Sequence, residues 1–208
     1  MPTAPNPSRP GDRGGRPGNI SGSDYCPDFE AVAIMRSMSE TLAIELGLAR
    51  VSEAPLIARM SRGYIEHGLH WRWQTAQIRG LILDAETVAL CARAQPLRQQ
   101  DPTTPSLYRD GDILGFGIMT YGLETAHLML LAVQPRARRR NIASNVLDWL
   151  EETAITAGVN RIELEVRAGN TGARSFYRER GYHERDYLAG YYSGQESAFR
   201  MTRNLRKS

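Results

Sequence analysis

The stretch Leu131-Ala-Val-Gln-Pro-Arg-Ala-Arg-Arg-Arg-Asn-Ile-Ala143 joins a predicted strand to a predicted helix. The near-continuous apolar run from Ala126 to Val133 predicts a central strand, which Pro135 ends. From Asn141 to Ala157, apolar side chains recur at helical spacing and predict an amphipathic helix that Gly158 terminates. Its apolar face consists of Ile142, Ala143, Val146, Leu147, Leu150 and Ala154.

Four arginines lie between this strand and this helix, at Arg136, Arg138, Arg139 and Arg140. A helix N-terminus carries partial positive charge and unpaired N–H groups, so each exposed cation there costs roughly 0.3–1 kcal/mol. A bound phosphate or pyrophosphate would resolve the conflict, because backbone N–H groups and guanidinium groups would converge on it. The alternative is that the arginines point into solvent and bind nothing. The cluster alone leaves both possibilities open.

Length, composition and charge limit the class of protein. The 208 residues suffice for one substantial domain, and the net charge of +3 is too small to indicate nucleic-acid binding by itself. The longest apolar run, Leu128–Val133, is far shorter than the roughly 20 residues of a membrane span, and no signal peptide is expected. Cys26 and Cys91 lie far apart, so a disulfide is not expected and a reducing cytoplasm fits best.

Beyond the central strand and helix, composition and periodicity predict a tail and one domain. Residues 1–28 are rich in Pro, Gly, Ser and Asn and are predicted to be disordered, and residues 29–40 are ambiguous, with a short helix as one interpretation. The order of the remaining elements predicts a mixed α+β sandwich around one sheet. The predicted strands are 41–48, 86–94, 113–121, 126–133 and 161–167, the other helices 52–68, 74–83 and 170–181, followed by two antiparallel strands up to 205, with a loop at 95–110.

The junction of the central strand and helix resembles the cofactor signature of the GNAT acetyltransferase superfamily. In that family a strand ending in Val-x-Pro leads to Arg-x-x-Gly-x-Gly/Ala at a helix start. Arg138, Asn141 and Ala143 stand at these positions here. Asn141 departs from the pattern, because the usual glycine lets a phosphate approach the backbone closely. Asparagine tolerates unusual dihedral angles better than most residues but keeps its Cβ, and Asn141 is also a candidate helix cap.

A second stretch, Leu164-Glu-Val-Arg-Ala-Gly-Asn-Thr-Gly-Ala-Arg-Ser-Phe-Tyr-Arg-Glu-Arg-Gly-Tyr182, resembles the second signature of the same superfamily. That signature is a strand followed by Asn-x-x-Ala-x-x-x-Tyr and then Gly-aromatic. The matching residues are Asn170, Ala173, Tyr177, Gly181 and Tyr182. The Leu-Glu-Val-Arg strand and the later Tyr191-Tyr192 pair are closest to the ribosomal-protein alanine N-acetyltransferase branch. The resemblance covers about residues 112–205 and, more loosely, 41–94.

The resemblance implies a GNAT-type three-layer α/β/α sandwich around a mixed, mostly antiparallel seven-stranded sheet that splays open at the cofactor site. It implies a single domain over residues 29–208, with the cofactor-binding half at about 112–205. It also implies acetyl-CoA as co-substrate. No metal is expected, because no carboxylate or cysteine set completes a site around His67 and His70.

The family's cofactor contacts carry over to the matching positions. Pantetheine in this superfamily pairs like an extra strand with the end of the central strand, here the backbone of Leu131, Ala132 and Val133. Tyr177 would lie near the cofactor sulfur as general acid, since tyrosine with a pKa of about 10 is protonated at neutral pH. The alternative for Tyr177 is a core aromatic. The other implied contacts are Arg138, which supplies charge, Arg139, Arg140, Asn141, Ile142, Ala143 and Ser144 at the pyrophosphate, and Asn170 and Ala173 along the arm.

The acceptor amine must be neutral to attack, so a proton acceptor is needed. Glu165 corresponds to the glutamate of the branch's strand and is the candidate base, directly or through water. Glu163 lies on the same strand face and is the substitute, and His127 is a further candidate for relaying the proton. Solvated or structural roles are the alternatives for all three. The acceptor pocket implied by the family has as candidate wall residues Glu66, Trp71, Trp73, His127, Tyr191 and Tyr192.

We therefore expect an acetyl-CoA-dependent N-acetyltransferase acting on a primary amine. A protein N-terminal α-amine and a small-molecule amine compete as acceptor, and Asn141 keeps open a non-catalytic CoA-binding regulator. A nucleic-acid-binding module is disfavoured, because the helix after the arginines carries Asp148, Glu151 and Glu152. The expected partners are acetyl-CoA and the amine, without nucleic acid or membrane, in a cytoplasmic monomer or homodimer.

Overall fold

One mixed β-sheet with helices on both faces forms the part of the chain that the computed structural model describes, namely residues 33–36, 42–96 and 107–205. The strands are β1 Ala33–Arg36, β2 Leu42–Leu48, β3 Thr87–Pro96, β4 Ile113–Tyr121, β5 Thr125–Val133, β6 Arg161–Arg167, β7 His183–Tyr192 and β8 Glu196–Asn204. The helices are α1 Ala54–Tyr64, α2 Thr75–Leu83, α3 Ile142–Thr156 and α4 Thr171–Glu179. Hydrogen bonds connect the strands in the order β1-β2-β3-β4-β5-β6-β8-β7.

The predicted element order and the α+β class are confirmed, with one correction to the strand count. Among the described residues the sheet has eight strands instead of seven, because residues 33–36 pair antiparallel with β2. These residues fall in the segment considered for a short helix, and as a strand they cover the edge of β2. The predicted tail, 1–28, and most of the predicted loop, 95–110, lie outside the described residues. No helix in the described ranges is long and apolar enough to cross a membrane.

Two apolar clusters, one on each face of the sheet, create the expected three layers. On one face the cluster includes Leu147 and Leu150 of α3 and Tyr177 of α4. On the other face it includes Ile57 of α1 and Ile78 of α2. The helices of the N-terminal half and those of the C-terminal half therefore cover opposite faces, and a site between strands can be reached from both.

Helix α3 lies close to β4 because two strand positions there have no side chain. A Cβ at Gly117 would lie 2.7 Å from Val146 Cγ1 and 2.8 Å from Leu150 Cδ1. A Cβ at Gly115 would lie 2.9 Å from Ile142 Cγ2, in the first turn of the helix. These separations are shorter than van der Waals contact, so a larger residue at either position would push the helix off the sheet.

The parallel strands β5 and β6 separate after a short paired segment. Residues 125–127 of β5 pair with residues 161–163 of β6, whereas β6 pairs with β8 over its whole length. β5 continues to Val133 along β4 on its other side. The backbone of residues 128–133 is therefore open toward β6, which confirms the expected splay of the sheet. We call the point just beyond His127 the fork.

A β-bulge at Met129 changes the face to which the side chains of β5 point. The register between β4 and β5 shifts by one residue here, which makes Met129 the extra residue. Leu128 packs in the cluster on the α3 side, whereas Leu130 packs in the cluster on the α1 side. Because neighbouring side chains of a strand alternate, His127 lies on the face that carries α1 and α2.

Candidate active site

The loop between β5 and α3 has two residues in the left-handed region of backbone conformation. The φ angle is 61° at Arg139 and 58° at Asn141, where α3 begins. Alternation of left-handed and ordinary residues turns successive backbone N–H groups toward one concave side, called a nest, which binds anions. The free N–H groups of the first turn of α3 extend this concavity. The predicted anion site therefore coincides with a backbone geometry suited to phosphate.

Asn141 adopts the conformation for which the family pattern uses glycine. Asparagine enters the left-handed region at lower cost than most other residues, so this departure from the pattern preserves the turn. Asn141 occupies the N-cap position, yet its exposed side chain makes no capping hydrogen bond. Ile142 is buried in the core, so only its backbone is available to an anion, while Ala143 and Ser144 are half-buried in the first turn.

The clustered arginines add positive charge around the nest. Arg136, Arg138 and Arg139 are exposed, and Arg140 is half-buried. Within the described ranges, none of their guanidinium groups pairs with a carboxylate. Charge-assisted hydrogen bonds from such groups are well suited to an anion that the backbone also binds.

The open edge of β5 leads from the nest to the fork. Leu131, Ala132 and Val133 pair with β4 on one side. The side chain of Ala132 is buried and those of Leu131 and Val133 are half-buried, so the open side offers mainly backbone groups. The N–H and C=O groups of a strand edge can pair with an extended, amide-containing chain. This geometry fits the role that the resemblance implies for these three residues.

Helix α4 is fixed at both of its ends. At the start, Asn170 acts as the predicted cap, because its Oδ1 accepts a hydrogen bond from the Ala173 N–H at 3.1 Å. Just after the end, Arg180 forms an ion pair with Asp148 of α3 and donates to the Ser144 carbonyl at 3.5 Å. The helix is therefore held against the first turns of α3, next to the nest.

Tyr177 of α4 is buried in the apolar cluster on the α3 face of the sheet. Its ring packs edge-on against Phe176 and Tyr182, with centroids 5.3 and 5.6 Å away. Burial raises the pKa of Tyr177, and neighbouring Tyr192 raises it further, so the hydroxyl stays protonated at neutral pH. The Tyr192 hydroxyl itself donates to the backbone carbonyl of Glu165, beyond the fork on β6, at 3.4 Å. Tyr177 is therefore a protonated donor on the α3 face of the sheet, and its neighbour Tyr192 contacts the backbone of β6 beyond the fork.

Glu165 is the centre of a hydrogen-bonded cluster on the opposite face of the fork. Its Oε2 lies 2.7 Å from His127 Nε2, and its Oε1 accepts from Arg200 Nε at 3.0 Å. Burial alone would raise the pKa of Glu165, but the hydrogen bonds from His127 and Arg200 lower it overall. Glu163, the predicted substitute base, forms an ion pair with Arg161 instead, at 2.9 Å. Glu165 is therefore ionised at neutral pH, and both of its oxygens have partners.

Arg167 fastens the loop between α1 and α2 to the end of β6. Its Nη2 donates to the backbone carbonyls of Ile65 at 2.6 Å and His67 at 2.9 Å. Its Nη1 donates to Glu196 of β8 at 2.9 Å. Arg167 ends the Leu-Glu-Val-Arg motif, but nothing in the neighbouring sequence indicates these distant partners. These contacts hold the loop against the end of β6, two residues beyond Glu165.

The loop keeps its shape through the buried carboxylate of Glu66. This side chain accepts hydrogen bonds from the Ser61 hydroxyl at 3.1 Å and from the backbone N–H groups of Arg72 and Trp73 at 2.7 and 3.3 Å. Trp71 donates its indole N–H to the Trp73 carbonyl at 3.0 Å, and both rings are half-buried. Glu66 thus holds the loop together, while Trp71 and Trp73 pack against the apolar cluster on the α1 side.

The double tyrosine, Tyr191 and Tyr192, ends β7. The two rings meet edge to face with centroids 4.9 Å apart. Burial, Tyr191 and Glu165 raise the pKa of Tyr192 to about 12. Burial and Glu165 also raise the pKa of Tyr191, an effect that Arg200 and Arg72 oppose. Arg167 connects the α1–α2 loop with this hairpin, because it donates to the loop carbonyls and its Cζ lies 5.8 Å from the centroid of the Tyr192 ring. No group of three or more His, Cys, Asp or Glu residues in the described ranges is arranged to hold a metal ion.

Comparison with known proteins identifies sequence relatives. The model of the acetyltransferase (GNAT) family matches residues 67–182. An uncharacterized N-acetyltransferase of Methanocaldococcus jannaschii is 38% identical over 95 residues, which are 44% of this chain and 60% of that protein. The [ribosomal protein bS18]-alanine N-acetyltransferase of Salmonella typhimurium is 34% identical over 98 residues, 46% of this chain and 66% of that protein. The chain thus spans less than two thirds of the length of these relatives.

Solved structures share the fold. Ard1 from Thermoplasma volcanium has a TM-score of 0.64 at 20% identity and covers 79% of this chain and 99% of its own. The ribosomal-protein-S18-alanine N-acetyltransferase from Escherichia coli has a TM-score of 0.63 at 19% identity and covers 79% and 96%. Arabidopsis thaliana NAA60 in complex with acetyl-CoA has a TM-score of 0.64 at 16% identity and covers 77% and 98%. At these identities the similarity establishes the fold.

Proposed function

Because this chain belongs to the acetyltransferase (GNAT) family, we propose that it is an N-acetyltransferase that moves an acetyl group from acetyl-CoA to a primary amine. The observation that carries the proposal is the continuity of the nest with the open edge of β5. An anion at residues 139–141 is followed by an edge at residues 128–133 that suits an extended, amide-bearing arm. CoA combines a pyrophosphate, such an arm and a terminal thiol, and its acetyl group would lie at the fork.

The side chains on either side of the fork suit acyl transfer. Tyr177, which keeps its proton at neutral pH, is the acid that protonates the leaving thiolate. The cluster of Glu165, His127 and Arg200 lies on the acceptor side of the fork and accepts the proton that the amine loses when it attacks. The thioester and the amine thus react at the fork between a proton donor on one face of the sheet and a proton acceptor on the other.

For the acceptor, we favour the α-amine at the N-terminus of a polypeptide. The Salmonella relative is named for the alanine of a ribosomal protein, and a relative in Schizosaccharomyces pombe, 30% identical over 115 residues, 53% of this chain and 63% of that protein, is named as the catalytic subunit naa20 of the N-terminal acetyltransferase B complex. Arg167 brings the α1–α2 loop and the hairpin of Tyr191 and Tyr192 together beside the Glu165 cluster, and we propose that the end of the acceptor chain binds there. A cytoplasmic location and a monomer or homodimer stay predictions.

Binding of acetyl-CoA is the first test. Titration calorimetry on the full-length protein should detect acetyl-CoA, and replacing Arg138, Arg139 and Arg140 together with alanine should weaken binding. Arg79→Ala, at an exposed arginine of α2, is the matched control and should bind like the wild type. Absence of wild-type binding at millimolar acetyl-CoA would overturn the proposal.

An acceptor screen is the second test. It covers peptides beginning with alanine or serine, free amino acids and polyamines, with CoA release and the mass of the product as readouts. Acetylation of the peptide α-amine supports the favoured acceptor, whereas acetylation of only the small amines assigns the small-molecule alternative. Binding of acetyl-CoA without transfer to any amine contradicts catalysis and supports a regulator.

A further inference from the structure

His127, Glu165 and Arg200 form a hydrogen-bonded row across β5, β6 and β8. His127 Nε2 lies 2.7 Å from Glu165 Oε2, and Arg200 Nε lies 3.0 Å from Glu165 Oε1. We infer that His127 is the group that accepts the proton of the acceptor amine, and that Glu165 is a positioning residue that orients it. The inference rests on the proposed function and reverses the roles that the family pattern implies for this pair.

The partners of Glu165 leave it poorly suited to accept a proton itself. Each of its oxygens already accepts a hydrogen bond, one from the permanently charged Arg200. Burial would raise the pKa of Glu165, but these two hydrogen bonds lower it overall. Its side chain is also only 8% exposed. A carboxylate that is held ionised in this way accepts hydrogen bonds from its partners but does not take up the proton of the amine.

The same ionisation fixes the tautomer of His127. An ionised carboxylate has no proton to donate, so the ring nitrogen that faces it must carry the hydrogen. Nε2 is therefore protonated in neutral His127, and Nδ1 keeps the lone pair that can accept a proton. A carboxylate that orients a histidine and stabilises its imidazolium form is the arrangement found behind many histidine bases.

His127 itself lies where the thioester is expected. His127 and Glu163 are the last residue pair before β5 and β6 separate. An arm that pairs along residues 128–133 would therefore end beside His127. The side chain of His127 is 46% exposed, so a proton taken from the amine can pass to water. The charged or titratable groups that surround the cluster come from several elements: Glu163 and Arg161 on β6, Asp186, Tyr191 and Tyr192 on β7, and Arg72 from the α1–α2 loop.

The proposed step balances with acetyl-CoA and a neutral amine. The amine nitrogen forms the new N–C bond to the acetyl carbon, and the C–S bond breaks. His127 Nδ1 takes the proton of the nitrogen, and the thiolate takes a proton from Tyr177. His127 then releases its proton to water, and Tyr177 regains one, so the products are the acetylated amine and free CoA.

Chemical rescue tests this assignment. His127→Ala should lower kcat by about 100-fold or more, with the KM for acetyl-CoA little changed, because a positioned base contributes that much. Added imidazole should restore part of the lost rate, and imidazoles of increasing basicity should restore progressively more. Glu165→Gln should lose less activity than His127→Ala and should not respond to imidazole. His183→Ala, at an exposed histidine of β7, is the matched control and should keep the wild-type rate.

The outcomes separate this inference from the proposed function. The acceptor in these assays is the best substrate in the screen above, and thermal unfolding checks that each variant is folded. An active wild type whose His127→Ala variant keeps full kcat overturns the inference alone. The inference alone is also overturned if imidazole restores no activity to His127→Ala and Glu165→Gln loses at least as much activity as His127→Ala. A wild type that acetylates no amine overturns the proposed function and this inference with it.

Discussion

Arg93 of β3 makes two hydrogen bonds to the carboxylate of Glu53, one from Nε to Oε1 at 2.9 Å and one from Nη2 to Oε2 at 2.7 Å. The same guanidinium donates to the backbone carbonyls of Gly47 and Leu48 at 3.3 and 2.9 Å. The side chains are 7% and 15% exposed. This ion pair fastens the turn before α1 to β2 and β3, and so fixes the helix that leads into the α1–α2 loop.

Glu53→Gln is expected to lower the free energy of unfolding at pH 7 by about 3 kcal/mol, because it leaves the buried Arg93 without its charge partner. Burial alone would raise the pKa of Glu53, but hydrogen bonds from Arg93 and from the backbone of Arg50 lower it overall. A carboxyl group whose folded-state pKa is lowered stabilises the fold above its unfolded-state pKa, and this contribution is lost as pH falls through the folded-state pKa.

Urea unfolding at several pH values checks this prediction. The difference in the free energy of unfolding between wild type and Glu53→Gln should be largest near neutral pH. It should shrink in acid, where the wild-type carboxyl becomes protonated and is then as uncharged as glutamine. Glu152→Gln, at an exposed position of α3, serves as the control and should change stability little at either pH. A difference of the same size in acid and at neutral pH would show that the lost stability does not come from the charge of Glu53.

Two glycines should respond to alanine in opposite directions. Gly117→Ala should lower the free energy of unfolding by about 1–3 kcal/mol, because its Cβ would meet Val146 and Leu150 well inside contact distance. Gly80→Ala in α2 should raise the free energy of unfolding by about 1 kcal/mol. The added Cβ would have no neighbour within 4 Å, and alanine is the better helix former. Thermal or urea unfolding measures both. A neutral Gly117→Ala would mean that α3 shifts outward without loss of packing.

Elements whose pattern is local could be predicted from the sequence. The spacing of apolar residues in α3 and the glycine at 158 predicted that helix to within a residue at each end. The apolar run of β5 predicted a central strand but did not indicate the bulge at Met129. A bulge is a mismatch between two strands, so it depends on the register with β4 as much as on β5 itself.

Residues that belong to a motif could be proposed for the site from the sequence, whereas contacts between distant parts of the chain could not be predicted. Arg200 bonds Glu165 from 35 positions away, and Arg167 reaches Ile65 across 102 positions. An arginine in a strand usually faces solvent, and only the pairing of β6 with β8 brings these contacts together. The left-handed conformation of Arg139 could not be predicted either, because the residue there is neither glycine nor asparagine.

Asn141 offers a matched pair of substitutions that separates backbone conformation from side chain. Asn141→Gly should preserve or improve both stability and acetyl-CoA affinity, because glycine adopts a φ of 58° without strain and exposes the backbone to phosphate. Asn141→Ala should cost about 1–2 kcal/mol of stability, the usual penalty of this conformation for a residue with a Cβ and no polar side chain. It should also weaken acetyl-CoA binding. Titration calorimetry and thermal unfolding measure the two effects, and equal behaviour of both variants would exclude the nest geometry as a determinant of affinity.

Tyr177→Phe tests whether the Tyr177 hydroxyl protonates the leaving thiolate. The substitution keeps the ring that packs against Phe176 and Tyr182, so stability and the KM for acetyl-CoA should change little. Turnover should fall by about 100-fold, the contribution of a positioned acid. Because burial and Tyr192 raise the pKa of Tyr177, loss of its proton should lower wild-type turnover only above about pH 10, the ordinary tyrosine value, and the variant should lack this decline.

Tyr187→Phe removes an exposed hydroxyl of β7 and is the control, with wild-type turnover expected. Comparing kcat, KM and the alkaline limb for the three proteins distinguishes a chemical role of Tyr177 from a packing role. If Tyr177→Phe turns over as fast as the wild type, the hydroxyl does not protonate the thiolate, and Tyr177 is a core aromatic of α4.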